Sequence, residues 1–110
     1  MEMKMTDVIA KKGAVIVIEN RSSYTEARTF KVKESTSYFV AKATKVGRDG
    51  IVQEYQKADS NYTYPVDFTN QSVMVIGDKD KQEKAKRLYE NLKDNWFPRV
   101  EHVRDAILAA

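Results

Sequence analysis

The residues that could carry out catalysis are few and stand apart from one another. Cysteine is absent, and histidine occurs once, at His102. This composition excludes cysteine nucleophiles, thiolate metal sites and multi-histidine metal centres. A lone histidine can act as a general base, but no serine or cysteine partner for His102 is apparent. We interpret it as an exposed or half-exposed residue of a helix.

The segment at residues 78–80 is the one place where acidic residues come close together. Asp78 and Asp80 occupy positions like those of a calcium-binding loop, but the glycine at the sixth position is missing and lysines occupy ligand positions. The sequence also lacks a phosphate-binding glycine loop and a nucleophile elbow. We therefore expect that the protein is not an enzyme and that it uses no metal or other cofactor.

Basic residues are the most informative chemical feature of the chain. The formal net charge is +3 and the isoelectric point is about 9.1. Residues 8–48 contain nine basic and three acidic residues, whereas residues 49–80 contain two basic and six acidic residues. If the fold keeps these segments apart, one face of the molecule attracts anionic partners.

Basic side chains interleaved with exposed aromatic ones are typical of surfaces that bind a phosphate backbone or a single nucleic-acid strand. We predict such a surface over residues 28–48. The predicted site consists of Arg28, Lys31, Lys33, Lys42, Lys45, Arg48 and Tyr38. The alternative interpretation is that the lysines protect a sheet edge from unwanted pairing and the tyrosines fill a small β-core.

These residues lie in a region with β-strand patterning. Residues 14–18 and 73–76 are continuously apolar, which indicates strands that are buried on both faces. The turn at residues 47–50 contains Asp49-Gly50 between two β-like segments and predicts a hairpin. The pattern predicts a turn at residues 20–23 and six strands, at residues 14–18, 29–33, 37–46, 51–56, 62–68 and 72–76.

Helical spacing begins after Gly77. Apolar residues recur at helical intervals and form a stripe, which consists of Ala85, Leu88, Tyr89, Leu92 and Trp96. Asp80 and Glu83 have the spacing of a capping box. A second, shorter stripe follows Pro98, and we expect Trp96 and Phe97 to join the two helices.

Together these patterns predict an α+β fold of one domain, residues 1–110. We expect a small, strongly bent antiparallel sheet or an SH3-like barrel of about six strands over residues 8–77. Two C-terminal helices over residues 78–110 are expected to pack on it, since the fully apolar strands need a cover. A homodimer interface is the other way to cover them.

The composition, with 42% hydrophobic and 32% charged residues, is typical of a soluble globular protein. The longest apolar runs are about five residues, far short of the ~20 that cross a membrane. The chain also starts without a signal-peptide pattern. We expect a cytoplasmic protein that does not contact membranes.

Two functions remain open from the sequence. The first is a small basic module that binds nucleic acid, or associates with nucleoprotein, through residues 28–48. The second is a module for protein–protein interaction or assembly, such as a small accessory protein of a phage or mobile element, which would use a sheet edge or the Trp96–Phe97 region.

Overall fold

The fold is α+β, with an antiparallel sheet followed by two helices. Its structure is a computed structural model, which describes residues 10–110 and the backbone of residues 5 and 6. The strands are β1 (Met5–Thr6), β2 (Val15–Thr25), β3 (Val32–Val46), β4 (Val52–Lys57), β5 (Thr63–Pro65) and β6 (Gln71–Ile76). The helices are α1 (Lys79–Asn91) and α2 (Val100–Ala109).

The sheet is curled but not closed. Its strand order is β1-β6-β2-β3-β4-β5, and all neighbouring strands are antiparallel. Gln71 of β6 reaches across the curl, and its Nε2 donates a hydrogen bond to Tyr55 Oη of β4 at 3.2 Å. Of the two expected forms, the bent sheet is observed, and the strands of the described residues do not close into a barrel.

The expected count of about six strands is wrong, because the sheet has five strands of three or more residues beside the two-residue β1. The expected turn at residues 20–23 does not occur, and of the expected strand at residues 29–33 only Val32 and Lys33 are in a strand, as the first residues of β3. β2 instead continues to Thr25 and pairs with β3 without a register shift, from Val15↔Lys42 to Thr25↔Val32. Cross-strand backbone hydrogen bonds continue this ladder past the last apolar residue, so polar side chains alone do not end it.

Residues 15–18 are buried on both faces, as their sequence predicts, whereas in residues 73–76 only Val75 and Ile76 are buried and Val73 and Met74 are half-buried. One face of the sheet lines the inside of the curl, and its buried residues include Ile16, Ile18, Phe39, Ala41, Val52, Tyr55 and Val75. The other face packs against the helices and forms the helix-side cluster, with the buried residues Val15, Val17, Val40, Ile76, Ala85, Val103 and Ile107. The two helices therefore supply the cover that the sequence requires.

The end of α1 differs from the prediction. The helix starts with Asp78 as its N-cap, whose Oδ1 accepts hydrogen bonds from the N–H groups of Asp80 and Lys81 at 2.9 and 3.2 Å. It ends at Asn91, and Leu92 is already extended. Trp96 therefore does not belong to the apolar stripe of α1, and 60% of it is exposed.

Candidate functional site

A two-stranded ribbon projects from one end of the sheet. On one side of it, the pairing of β2 with β6 ends at Asn20↔Gln71. On the other side, β4 leaves β3 at Ala41, and a single bridge from Phe97 to Tyr38 follows. Beyond these points, apart from a backbone hydrogen bond from the Arg21 N–H to the Asn70 carbonyl at 2.8 Å, β2 and β3 pair only with each other among the described residues. We call this ribbon, residues 21–37, the arm.

The arm is exposed on both faces. Residues 22–25 and 27–36 are all exposed. At a rise of about 3.3 Å per residue, the five arm residues of β2 add roughly 17 Å to the sheet. The molecule is correspondingly elongated, with principal extents of 47, 32 and 27 Å. The arm is therefore a narrow, exposed extension of the sheet.

Backbone hydrogen bonds define the tip of the arm. The Glu26 N–H donates to the Lys31 carbonyl at 2.9 Å, and the Phe30 N–H donates to the Glu26 carbonyl at 2.8 Å. Phe30 has a φ of +56°, a left-handed conformation that bulky residues rarely adopt. Its side chain is 82% exposed. An apolar ring is thus held out at the far end of the molecule.

Three of the predicted basic residues lie on the arm. Arg28 and Lys31 are in the tip, and Lys33 lies directly across the ribbon from Tyr24. Lys33 Nζ lies 3.6 Å from Glu26 Oε2, but both side chains are well exposed, so water and salt weaken this attraction. The tip therefore carries positive charge that is accessible to a partner.

Arg21 is the first residue of the arm, where the arm joins the sheet, and two hydrogen bonds hold its guanidinium group in place. Its Nη1 donates to Glu19 Oε1 at 2.7 Å and to Ser72 Oγ at 2.8 Å. A shallow depression of about 220 Å³ adjoins it, lined by Arg21, Ser22, Ser23, Glu34, Thr36 and Asn70. The hydroxyl groups here are of the kind that donates to phosphate oxygens.

The other predicted basic residues lie away from the arm. Lys42 points to the helix side, where its Nζ lies 5.4 Å from the centre of the Tyr89 ring. Lys45 and Arg48 are exposed at the opposite end of β3. The turn that carries Lys11 and Lys12 reaches the same end.

Two backbone hydrogen bonds hold that turn in place, from Ala10 N to Gly50 O at 3.1 Å and from Gly13 N to Ala43 O at 2.7 Å. We call Lys11, Lys12, Lys45 and Arg48 the distal patch. The predicted site is thus divided between two ends of the sheet.

Tyr38 is not placed as a stacking surface. It is half-buried, packs against the helix-side cluster, and donates from Oη to Glu19 Oε2 at 3.4 Å. Burial raises the pKa of Tyr38 above its usual value, and the nearby Glu19 carboxylate raises it further. Its ring belongs to the packing beneath the arm.

The sequence prediction missed the most exposed aromatic residue of this region. Phe30 and Val32 alternate with lysines, which predicted a strand with one buried face, but they are 82% and 68% exposed. No glycine marks the tip, so the turn at residues 26–31 left no recognisable sequence signal.

Metal ligands, the single histidine and membrane-spanning helices can also be assessed in the part of the chain that the structure describes. No group of three or more potential metal ligands occurs there, and His102 is exposed on α2. No helix in the described ranges is long and apolar enough to cross a membrane. No protein-family model, curated protein or solved structure matches the chain.

Proposed function

We propose that the protein is a binding module that recognises nucleic acid through the arm. The observation that carries this proposal is the shape and charge of the arm: a two-stranded ribbon, exposed on both faces, with Arg28 and Lys31 at its far end. Two-stranded β-ribbons of other proteins enter the major or the minor groove of DNA.

The charge of the arm is suited to a polyanion. Its four basic residues, Arg21, Arg28, Lys31 and Lys33, outnumber its two acidic residues, Glu26 and Glu34. Arg21 is engaged with Glu19, so the three other cations are the expected phosphate contacts. Three such contacts on duplex DNA give a slope of log K against log salt of about −2.7.

The remaining polar groups of the arm are suited to contact the phosphate backbone, which orients a protein on DNA but does not distinguish base sequences. Ser22, Ser23, Ser35 and Thr36 present hydroxyl groups along the ribbon, and hydroxyl groups commonly bind phosphate oxygens. The sequence preference of the protein is therefore expected to be slight.

The test compares the arm with the distal patch. One variant carries Arg28→Gln, Lys31→Gln and Lys33→Gln, and the matched control carries Lys11→Gln, Lys12→Gln and Arg48→Gln. Both lose three exposed positive charges, so their net charges are equal. Glutamine is used because Lys33→Glu would place a negative charge beside Glu26.

The readout is duplex DNA binding as a function of salt. The arm variant is expected to lose binding and most of its salt dependence, whereas the control keeps both. If the control loses binding and the arm variant keeps it, the distal patch is the interface. If the unaltered protein binds no nucleic acid at low salt, the proposal is wrong.

Protein interaction is the second candidate function. The outer edges of the arm have no strand partner among the described residues, and Tyr24 and Val32 are exposed there. An unpaired edge can accept a strand from another protein. Such binding depends little on salt, so the same titration separates it from nucleic-acid binding.

A further inference from the structure

The position of Phe30 requires an explanation that charge does not supply. Binding to phosphates alone needs no apolar ring at the tip, yet this ring is 82% exposed. Its backbone also has a φ of +56°, which glycine or asparagine would adopt more easily. Strained backbone conformations of this kind are often found at functional sites.

The tip has the features of a wedge. The hydrogen bonds of Glu26 to Lys31 and Phe30 support the loop from behind. Arg28 and Lys31 lie on either side of Phe30 in the chain and are exposed. Proteins that bind the minor groove and bend DNA frequently insert an apolar side chain such as Phe between base steps, and they use Arg and Lys to contact that groove.

We propose that Phe30 inserts between adjacent base pairs of duplex DNA and opens that base step. This inference rests on the proposed function, since the arm must first reach the duplex. It adds a role for the arm that charge alone does not give, which is the distortion of the DNA.

Duplex DNA fits the arm better than a single strand does. Surfaces that bind single strands without sequence preference have several aromatic side chains along a basic groove, so that successive bases can stack. The arm has one ring at its end, and Tyr24 lies back along the ribbon, two residues before Glu26. A single ring at a narrow tip can open one base step.

A wedge predicts a preference for DNA that is already weakened. Unstacking a base step is less costly where a mismatch has disturbed the pairing. The protein should therefore bind a duplex with one mismatch about tenfold more tightly than the matched duplex. This preference should come from Phe30 and not from the cations.

The experiment uses short duplexes, with and without one mismatch, that contain 2-aminopurine beside the test step. The fluorescence of this base rises when it unstacks. The first variant is Phe30→Gly, which removes the ring and adopts the left-handed conformation without strain. The second is Phe30→Leu, which keeps an apolar wedge, and the control is Trp96→Ala, which removes an exposed ring outside the arm.

The unaltered protein, Phe30→Leu and Trp96→Ala are expected to raise the fluorescence and to prefer the mismatch. Phe30→Gly is expected to lose both effects and to keep the salt dependence of binding. If Phe30→Gly behaves like the unaltered protein, the wedge is wrong while nucleic-acid binding stands. If the unaltered protein binds only single strands, the wedge is likewise wrong, and if it binds neither form, both proposals fall.

Discussion

The side-chain amide of Asn95 pairs with both backbone groups of Val40. Its Oδ1 accepts from the Val40 N–H at 2.7 Å, and its Nδ2 donates to the Val40 carbonyl at 2.9 Å. Two residues later, Phe97 exchanges backbone hydrogen bonds with Tyr38 at 2.8 and 2.9 Å. The loop between the helices thus hydrogen-bonds to β3 where β4 ends. It therefore determines where the exposed arm begins on the β3 side.

We expect Asn95→Asp to lower the free energy of unfolding by about 1–3 kcal/mol at neutral pH, because a buried hydrogen-bond donor is lost. A carboxylate oxygen would then face the Val40 carbonyl, which keeps only the bond from the Ala58 N–H at 3.2 Å. The new carboxylate would also face Asp59, which now accepts from Asn95 Nδ2 at 3.3 Å. Protonation of the introduced carboxyl group restores a hydrogen-bond donor. The loss in the free energy of unfolding should therefore become smaller at a pH low enough to protonate this group. Urea denaturation at several pH values measures this.

Asn61→Asp is the matched control, because Asn61 is exposed in the turn between β4 and β5. Surface substitutions of this kind change stability by about 0.5 kcal/mol or less. Equal stability losses in the two variants at neutral pH would show that the Asn95–Val40 contact contributes nothing specific.

The helical layer gives a second prediction. Ile107 is fully buried in the helix-side cluster, whereas Leu92 is only partly buried against it. Ile107→Ala should therefore lower the free energy of unfolding by about 2–5 kcal/mol, and Leu92→Ala by less. Chemical denaturation gives both values. A larger loss in the free energy of unfolding for Leu92→Ala than for Ile107→Ala would contradict this prediction.

Alkaline pH is expected to weaken the fold through two tyrosines. Burial raises the pKa of Tyr89 above its usual value of 10.0, and burial together with Glu19 raises that of Tyr38. The folded state thus holds these protons more tightly than the unfolded state does. Their contribution is complete below pH 10 and is lost as the pH rises through the folded pKa values.

The test is denaturation above pH 10 of the unaltered protein and of a variant with Tyr38→Phe and Tyr89→Phe. The difference between the two proteins isolates the two tyrosines from the other effects of alkaline pH. The variant should lose less stability between pH 9 and 11. Parallel losses would contradict the prediction.

The body of the fold could be predicted because its signals are local. Asp49-Gly50 marks the hairpin that forms, with Gly47 N donating to Ile51 O at 2.9 Å. The apolar residues 14–18 and 73–76 are neighbouring strands of the sheet, and Ile16 pairs with Val75. A short, continuously apolar segment is typical of a strand in the interior of a sheet, and this is the position that both segments occupy.

The arm could not be predicted, because no apolar pattern specifies it. Its ladder continues from the buried part of β2 through polar residues that are typical of turns. The predicted site residues also lie at both ends of one strand. Lys33 and Lys45 lie twelve residues apart on β3, and at about 3.3 Å per residue that is roughly 40 Å. Because a strand is fully extended, residues that are only twelve positions apart in the sequence can lie at opposite ends of the sheet.

The independence of the arm from the core gives the last prediction. Ser22 and Ser35 face each other across the ribbon, so an Asn-Gly turn can join them in place of residues 23–34. This shortening removes Phe30 and the three exposed cations of the arm, but no residue of either buried cluster.

We expect the shortened protein to melt at an unchanged or slightly higher temperature, since a shorter connection costs less entropy to close. It should also bind duplex DNA no better than the variant that lacks the three arm charges. Thermal melting and the salt titration test the two parts separately. If the shortened chain fails to fold, the arm is required for the cooperative folding of the core and the prediction is wrong. A shortened chain that folds and binds as tightly as the full protein would move the interface off the arm, to the distal patch or to the exposed cations of the helical layer, such as Lys86 and Arg87.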